Sequence, residues 1–84
     1  VMRVTYDAVA DAAYIALADP LGDGHAATTI HSIATPGERG EVALDFDADG
    51  RLLGIEVLHA SAVLPSSVLA DAVRIASEAE VASS

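Results

Sequence analysis

Two apolar alternations face each other across residues 41–58. Val42, Leu44 and Phe46 fall on one side of an extended segment, with Ala43 and Asp45 on the other. After Asp47–Ala48–Asp49–Gly50, Leu53, Ile55 and Val57 share a side and Glu56 takes the opposite one. Period two on both flanks of an Asp/Gly turn predicts a β-hairpin, with a type I turn and Gly50 in the left-handed region.

Upstream, Arg3–Val4–Thr5–Tyr6 alternates and is β-prone, and Thr28 to Ile33 is β-branched, so both read as strands. Ala12 to Ala18 carries helix-favouring alanines beside strand-favouring Tyr14 and Ile15. It is short and closely followed by Pro20, and length arbitrates in favour of a strand. Asp7 to Asp11 is a turn or a single helical turn. Asp19 to His25 and Thr35 to Gly40 are loops dense in breakers. His59 to Val63 is a connector. Pro65 then suits the first turn of a helix. At the helical step of about 100°, Leu69, Ala72, Val73, Ile75, Ala76 and Ala79 share a side with Val68, and Asp71, Arg74, Ser77 and Glu78 fall opposite. The expected architecture is a single α+β domain over 1–84. An antiparallel sheet of four to five strands, built from hairpins, spans 3–58. One C-terminal amphipathic helix over 65–80 packs on it, and a disordered tail follows at 81–84.

Composition sharpens this. Apolar residues make up 52% of the chain but aromatics only 4%, so each buried side chain is small and a larger core gained by self-association would help. Leu52 and Leu58 stand opposite Leu53, Ile55 and Val57, which leaves apolar surface on the second face and points to a two-fold homodimer. Thirteen acidic against four basic residues give a net charge of -9. No basic stripe is present to neutralise phosphates, so nucleic acid is not an expected partner, whereas a basic protein is compatible. Cysteine is absent, which excludes disulfides, thiolate metal sites and cysteine nucleophiles. No apolar run approaches the roughly 20 residues of a membrane span and no charged-then-apolar leader is visible, so a cytoplasmic protein without membrane partners is expected.

Three constellations carry candidate chemistry. Asp45 to Glu56 matches the calcium-loop pattern D-x-[DN]-x-[DN]-G-x5-E, with Asp45, Asp47, Asp49 and Glu56 as side-chain ligands. An EF-hand needs a helix on each side, and both flanks here alternate with period two, so the turn reading is preferred over a weak divalent-cation site. Tyr6, Asp7, Asp11 and Tyr14 offer two carboxylates and two phenols for general acid–base work. The structural alternative, in which the aspartates cap a turn and the tyrosines pack with their hydroxyls at a rim, is stronger. His25, His31 and His59 match no zinc spacing. Ser61, Ser66 and Ser67 lie near a helix start, where capping explains them better than nucleophilic catalysis. Gly22–Asp23–Gly24 lacks the lysine and following helix of a phosphate loop. No cofactor is implied.

Two blocks carry a resemblance. Met2–Arg3–Val4–Thr5–Tyr6–Asp7 with Ala10–Asp11–Ala12–Ala13–Tyr14–Ile15–Ala16–Leu17 is similar to a signature x-Y-D-x-x-A-D-A-x-Y-I-x-L. Val42 to Leu58, followed by Ala60–Ser61, is similar to v-x-L-D-x-D-x-x-G-x-l-x-G-I-E-i-l-x-A-S. Together they resemble the small bacterial family called domain of unknown function 2283. The resemblance implies a compact, mainly antiparallel β domain in which the acidic run is a hairpin turn. It carries no catalytic residues. For some members, from the position of their genes, it implies an antitoxin-like partnership with a small toxin. The expected function is a non-catalytic protein-interaction module that forms homodimers, with antitoxin-like neutralisation of a basic partner as its specific version. A small enzyme using Tyr6, Asp7, Asp11 and Tyr14, or a cation binder at Asp45, Asp47 and Asp49, are the alternatives.

Overall fold

The computed structural model describes residues 2–18 and 26–75. Six strands form one sheet: β1 (Arg3–Asp7), β2 (Ala12–Ala16), β3 (Thr28–Ala34), β4 (Glu41–Phe46), β5 (Leu52–Leu58) and β6 (Val73–Ile75). A 3-10 turn at Pro36–Glu38 links β3 to β4, and two short helices, α1 (Ala60–Val63) and α2 (Ser66–Asp71), lie between β5 and β6. The strand order is β3-β4-β5-β2-β1-β6. Every pairing is antiparallel except β1 with β6, which is parallel.

The Ala12–Ala16 segment is a strand, as its length suggests, and it holds the centre of the sheet between β1 and β5. The β4–β5 hairpin forms as expected. Gly50 N–H donates to the Asp47 carbonyl at 3.0 Å and Gly50 has φ +80°. A register shift leaves Leu53 without a partner, since Asp45 faces Gly54 while Phe46 faces Leu52.

The C-terminal expectation is corrected. Instead of one helix over 65–80, a six-residue helix ends at Asp71, and Ala72 turns extended (φ -71°, ψ 147°). Val73–Arg74–Ile75 then pairs with Thr5–Tyr6–Asp7. The fold is therefore mostly β, with a mixed six-stranded sheet, rather than α+β with an antiparallel one. The physical reason is β1's open edge. Its unpaired N–H and C=O groups offer a ladder to any extended segment that reaches them. Val-Arg-Ile satisfies period two as well as period 3.6, so the backbone pairing decides. Pro65 stands at the N-cap of α2 rather than inside its first turn, and His59 to Val63 is α1 with its N-cap His59 in the left-handed region, not a plain connector. The remainder of the expected helix (76–80), the tail 81–84 and the loop 19–25, with His25 and the Gly22–Asp23–Gly24 stretch, lie outside the described residues.

The register sorts side chains onto two faces. Tyr6, Ala13, Val57 and Val42 line up across four strands, and Val4, Ile15, Ile55, Leu44 and Ile30 form the next row. This inner face meets the helices. Tyr6, Ala13, Val57 and Ala60 are the buried centre, with Ile15, Val42, Ile55, Val63, Leu64, Leu69 and Ala72 packed on it. Of these four, Val57 is the bulky side chain that is fully buried, so the core is thin. The main helix contacts on the sheet are those of α1 with β5 and of α2 with β1. Among the described residues no helix is long and apolar enough to cross a membrane.

Candidate functional site

The polar candidates separate into two networks on opposite faces. On the inner face, Asp11 follows β1's turn in a left-handed conformation (φ 52°), which aspartate tolerates because its short side chain bonds locally. Its Oδ1 accepts from the Tyr6 hydroxyl at 2.7 Å and from the Ser61 amide at 2.9 Å; its Oδ2 accepts from the Ser61 hydroxyl at 2.7 Å. Its carbonyl also receives the Ala60 N–H at 2.9 Å. Asp11 thus caps the start of α1 across fifty residues of chain. This is the task an N-cap side chain performs locally, which left-handed His59 does not perform. The Ser61 and Tyr6 hydrogen bonds hold the Asp11 carboxyl below the usual carboxylate range, and the same bond to Asp11 raises the Tyr6 phenol. The guanidinium of Arg74 lies 5.1 Å from the centre of the Tyr6 ring.

The outer face holds the second network. Tyr14 on β2 crosses Gly54 on β5 and donates to Asp45 Oδ2 on β4 at 2.8 Å; Thr29 on β3 donates to Asp45 Oδ1 at 2.8 Å. The ring passes so close over Gly54 that a Cβ at that position would run into it. Four strands are thereby tied together. Burial first, then the negative charge and hydrogen bond of Asp45, push the Tyr14 phenol up to about 12.

Asp7 closes its own turn, its Oδ1 accepting the amides of Val9 and Ala10 at 3.0 and 3.2 Å. Asp47 does the same in the β4–β5 turn, taking the amides of Asp49 and Arg51, both at 2.9 Å, and pairing with the Arg51 Nε at 2.9 Å. The Arg51 amide, above all, lowers its pKa.

The four residues of the acid–base candidate are thus not one site. Tyr6 and Asp11 lie on the inner face, Tyr14 points to the outer face, and Asp7 is spent on a turn. Asp11 accepts three hydrogen bonds and is held acidic, whereas a general base works best with a pKa near the operating pH. The calcium candidates diverge as well. Asp45 serves the sheet, Asp47 and Asp49 face Arg51, and Glu56 stands exposed on β5 opposite Ala43 and Tyr14. Among the described residues, no three His, Asp or Glu side chains converge as ligands for one ion. His31 is exposed on β3 at its register shift, and Pro65 rather than Ser66 or Ser67 occupies the N-cap of α2. An open depression of about 540 Å³, lined by Thr35, Pro36, Gly37, Arg39, Ala62 and Val63, takes in none of these candidates.

Sequence reasoning missed Thr29, the reach of Asp11 to Ser61 and the stacking of Arg74. Gly54 inside an alternating strand was the one available signal, since an isolated strand glycine marks a close approach by another group.

Among curated proteins and among solved structures, nothing matches the chain. A family model does match, over residues 3–61, from the start of β1 to the second residue of α1, leaving α2 and β6 beyond it. It takes in Tyr6, Asp11, Tyr14, Thr29, Asp45, Gly54 and Ser61, every residue of the two networks except Arg74. The chain belongs to the family described as protein of unknown function, DUF2283.

Proposed function

We propose that this protein is a non-catalytic interaction module that works as a two-fold homodimer in the cytoplasm, and that its acidic surface neutralises a basic protein partner in the manner of an antitoxin. The observation that carries the reading is the uncovered end of the inner face. On the outermost strand β3, Ile30 is 48% exposed and Ile33 36% exposed. They are three residues apart, and simple alternation would put them on opposite faces. The bulge between them, with Ser32 at φ 60°, resets the register so that Ile30 faces Leu44 and Ile33 faces Val42, both on the inner side. The result is a partly exposed apolar strip along the edge strand.

The same bulge interrupts the ladder edge of β3, which disfavours long strand-to-strand pairing and leaves side-chain packing as the means of contact. Each isoleucine is already about half buried, so completing its burial yields about 1 kcal/mol. Four of them across a two-fold axis fall short of the cost of association, so the contact has to take in Leu44 and Phe46 as well. A concentration-dependent dimer is the consequence. Sedimentation velocity over a concentration series tests it: the wild type moves from monomer to dimer, and Ile30→Glu stays monomeric. A single monomer boundary for the wild type at every concentration refutes the reading. The net charge of -9 supports a basic partner, whose capture from the native cell is expected to weaken with added salt.

A further inference from the structure

We propose that the outer edge of β1 is a docking edge for an extended peptide segment carrying an arginine between β-branched apolar residues, and that the chain's own Val73–Arg74–Ile75 occupies it as a detachable strap. This goes beyond the dimer, which uses the opposite edge of the sheet.

The edge has a defined chemistry. β6 runs parallel to β1 with Thr5 beside Val73, Tyr6 beside Arg74 and Asp7 beside Ile75. Backbone pairing accepts any extended segment, so selectivity has to come from alternate side chains. Arg74 is the residue on the inner face, and its guanidinium stacks on Tyr6 at 5.1 Å from the ring centre. The Tyr6 hydroxyl donates to the Asp11 carboxylate at 2.7 Å, which places negative charge at the far end of the same ring. A cation over that face is attracted by both the ring and the carboxylate, and an acidic side chain there is repelled. Val73 and Ile75 stand on the outer face beside Thr5 and Asp7, 47% and 48% exposed, so they are tolerated rather than gripped.

The resident segment is built to leave. Among the described residues its ladder is three residues long, all three are exposed, and it follows α2 by the single extended residue Ala72. Leu69 and Ala72 pack on the core, so α2 stays anchored while the three residues after it can peel away. The strap also lies outside the 3–61 stretch that the family model matches, whereas the receiving strand and its Tyr6–Asp11 pair lie inside it. A segment tethered this closely competes at high effective concentration, so a partner must bring either a longer ladder or its own tether.

The test uses the full chain and a short fluorescein-labelled peptide built around Val-Arg-Ile, read by fluorescence anisotropy. Arg74→Glu unseats the strap by placing a carboxylate over Tyr6 and beside Asp11. If the strap holds the edge roughly nine-tenths of the time, this variant binds the peptide about tenfold more tightly than wild type. A peptide with glutamate in place of its arginine does not bind. Equal affinity of wild type and Arg74→Glu, or equal binding of the two peptides, overturns the proposal. Hydrogen exchange on the wild-type chain tests it without any variant. Val73–Ile75 amides should exchange faster than those of β2, and added peptide should strip their remaining protection while β1 stays protected. Unchanged β6 protection under saturating peptide overturns the proposal. Sedimentation of Arg74→Glu separates the two surfaces. The dimer persists if they are independent; its loss means that a second copy fills the β1 edge, which overturns the assignment to a separate peptide partner.

Discussion

Replacing Asp11 removes more than its place in the chain suggests. Its carboxylate caps α1, and its backbone sits at φ 52°. An alanine there loses the cap, at a cost of about 1 kcal/mol. It must also hold a left-handed conformation that costs a further ~1–2 kcal/mol for a residue without a locally bonding side chain. Asp11→Ala is therefore expected to lose about 2–3 kcal/mol. For a domain of this size that is a fall of roughly 10–20 °C in Tm. Asp11→Asn keeps the backbone preference and one acceptor oxygen and loses the charge, so it should lose about 1 kcal/mol. The two variants thus separate backbone from cap. Urea and thermal unfolding followed by far-ultraviolet circular dichroism give both numbers. A pH series adds the sign. The folded-state pKa of Asp11 lies below its unfolded value of 3.8, so its stabilisation is fully present above about pH 4 and is lost as pH falls through the folded pKa. Asp11→Asn should remove that part of the acid dependence. Asp11→Ala melting within a few degrees of wild type would refute the capping argument, and Asp11→Asn matching Asp11→Ala in damage would refute the backbone share.

Four further outcomes follow from other positions. Tyr14 has a folded pKa of about 12 against 10.0 unfolded, so its contribution is intact below pH 10 and lost between pH 10 and 12; an ultraviolet phenolate titration in which both tyrosines ionise near 10 would contradict the Asp45 bond. Gly54→Ala should displace the Tyr14 ring and bring its titration back toward 10, and an unchanged titration would mean that the ring does not lie over Gly54. Gly50 has φ +80° and open space where a Cβ would sit, so Gly50→Val is expected to cost about 1–2 kcal/mol from backbone strain alone and Gly50→Asn less, an ordering that chemical denaturation checks. Millimolar calcium should leave Tm unchanged relative to chelator, because Asp45, Asp47 and Glu56 point to different tasks; a rise that Asp47→Ala abolishes would restore the cation site.

Elements whose signals lie close together along the chain could be read from it directly. The β4–β5 hairpin was legible because its two signals, period-two alternation and the Asp47–Gly50 turn, lie within eighteen consecutive residues and need no other part of the chain. The strand at Ala12–Ala16 was decided by length, and the two signature blocks were enough to identify the family. Features that depend on distant neighbours were set by packing and strand order. Val73–Ile75 fits a helical stripe as well as a strand, and only the vacant edge of β1, some seventy residues away, tips it to a strand. Ile30 and Ile33 share a face only because a bulge intervenes against β4. Asp11 reaches Ser61 across fifty residues, and Tyr14 reaches Asp45 across thirty-one. No periodicity encodes such pairs. A hydroxyl and a carboxylate far apart in sequence become partners only once strand order puts β2 beside β5 and α1 over the end of β1, where a buried or half-buried polar group must find its hydrogen bond within the fold.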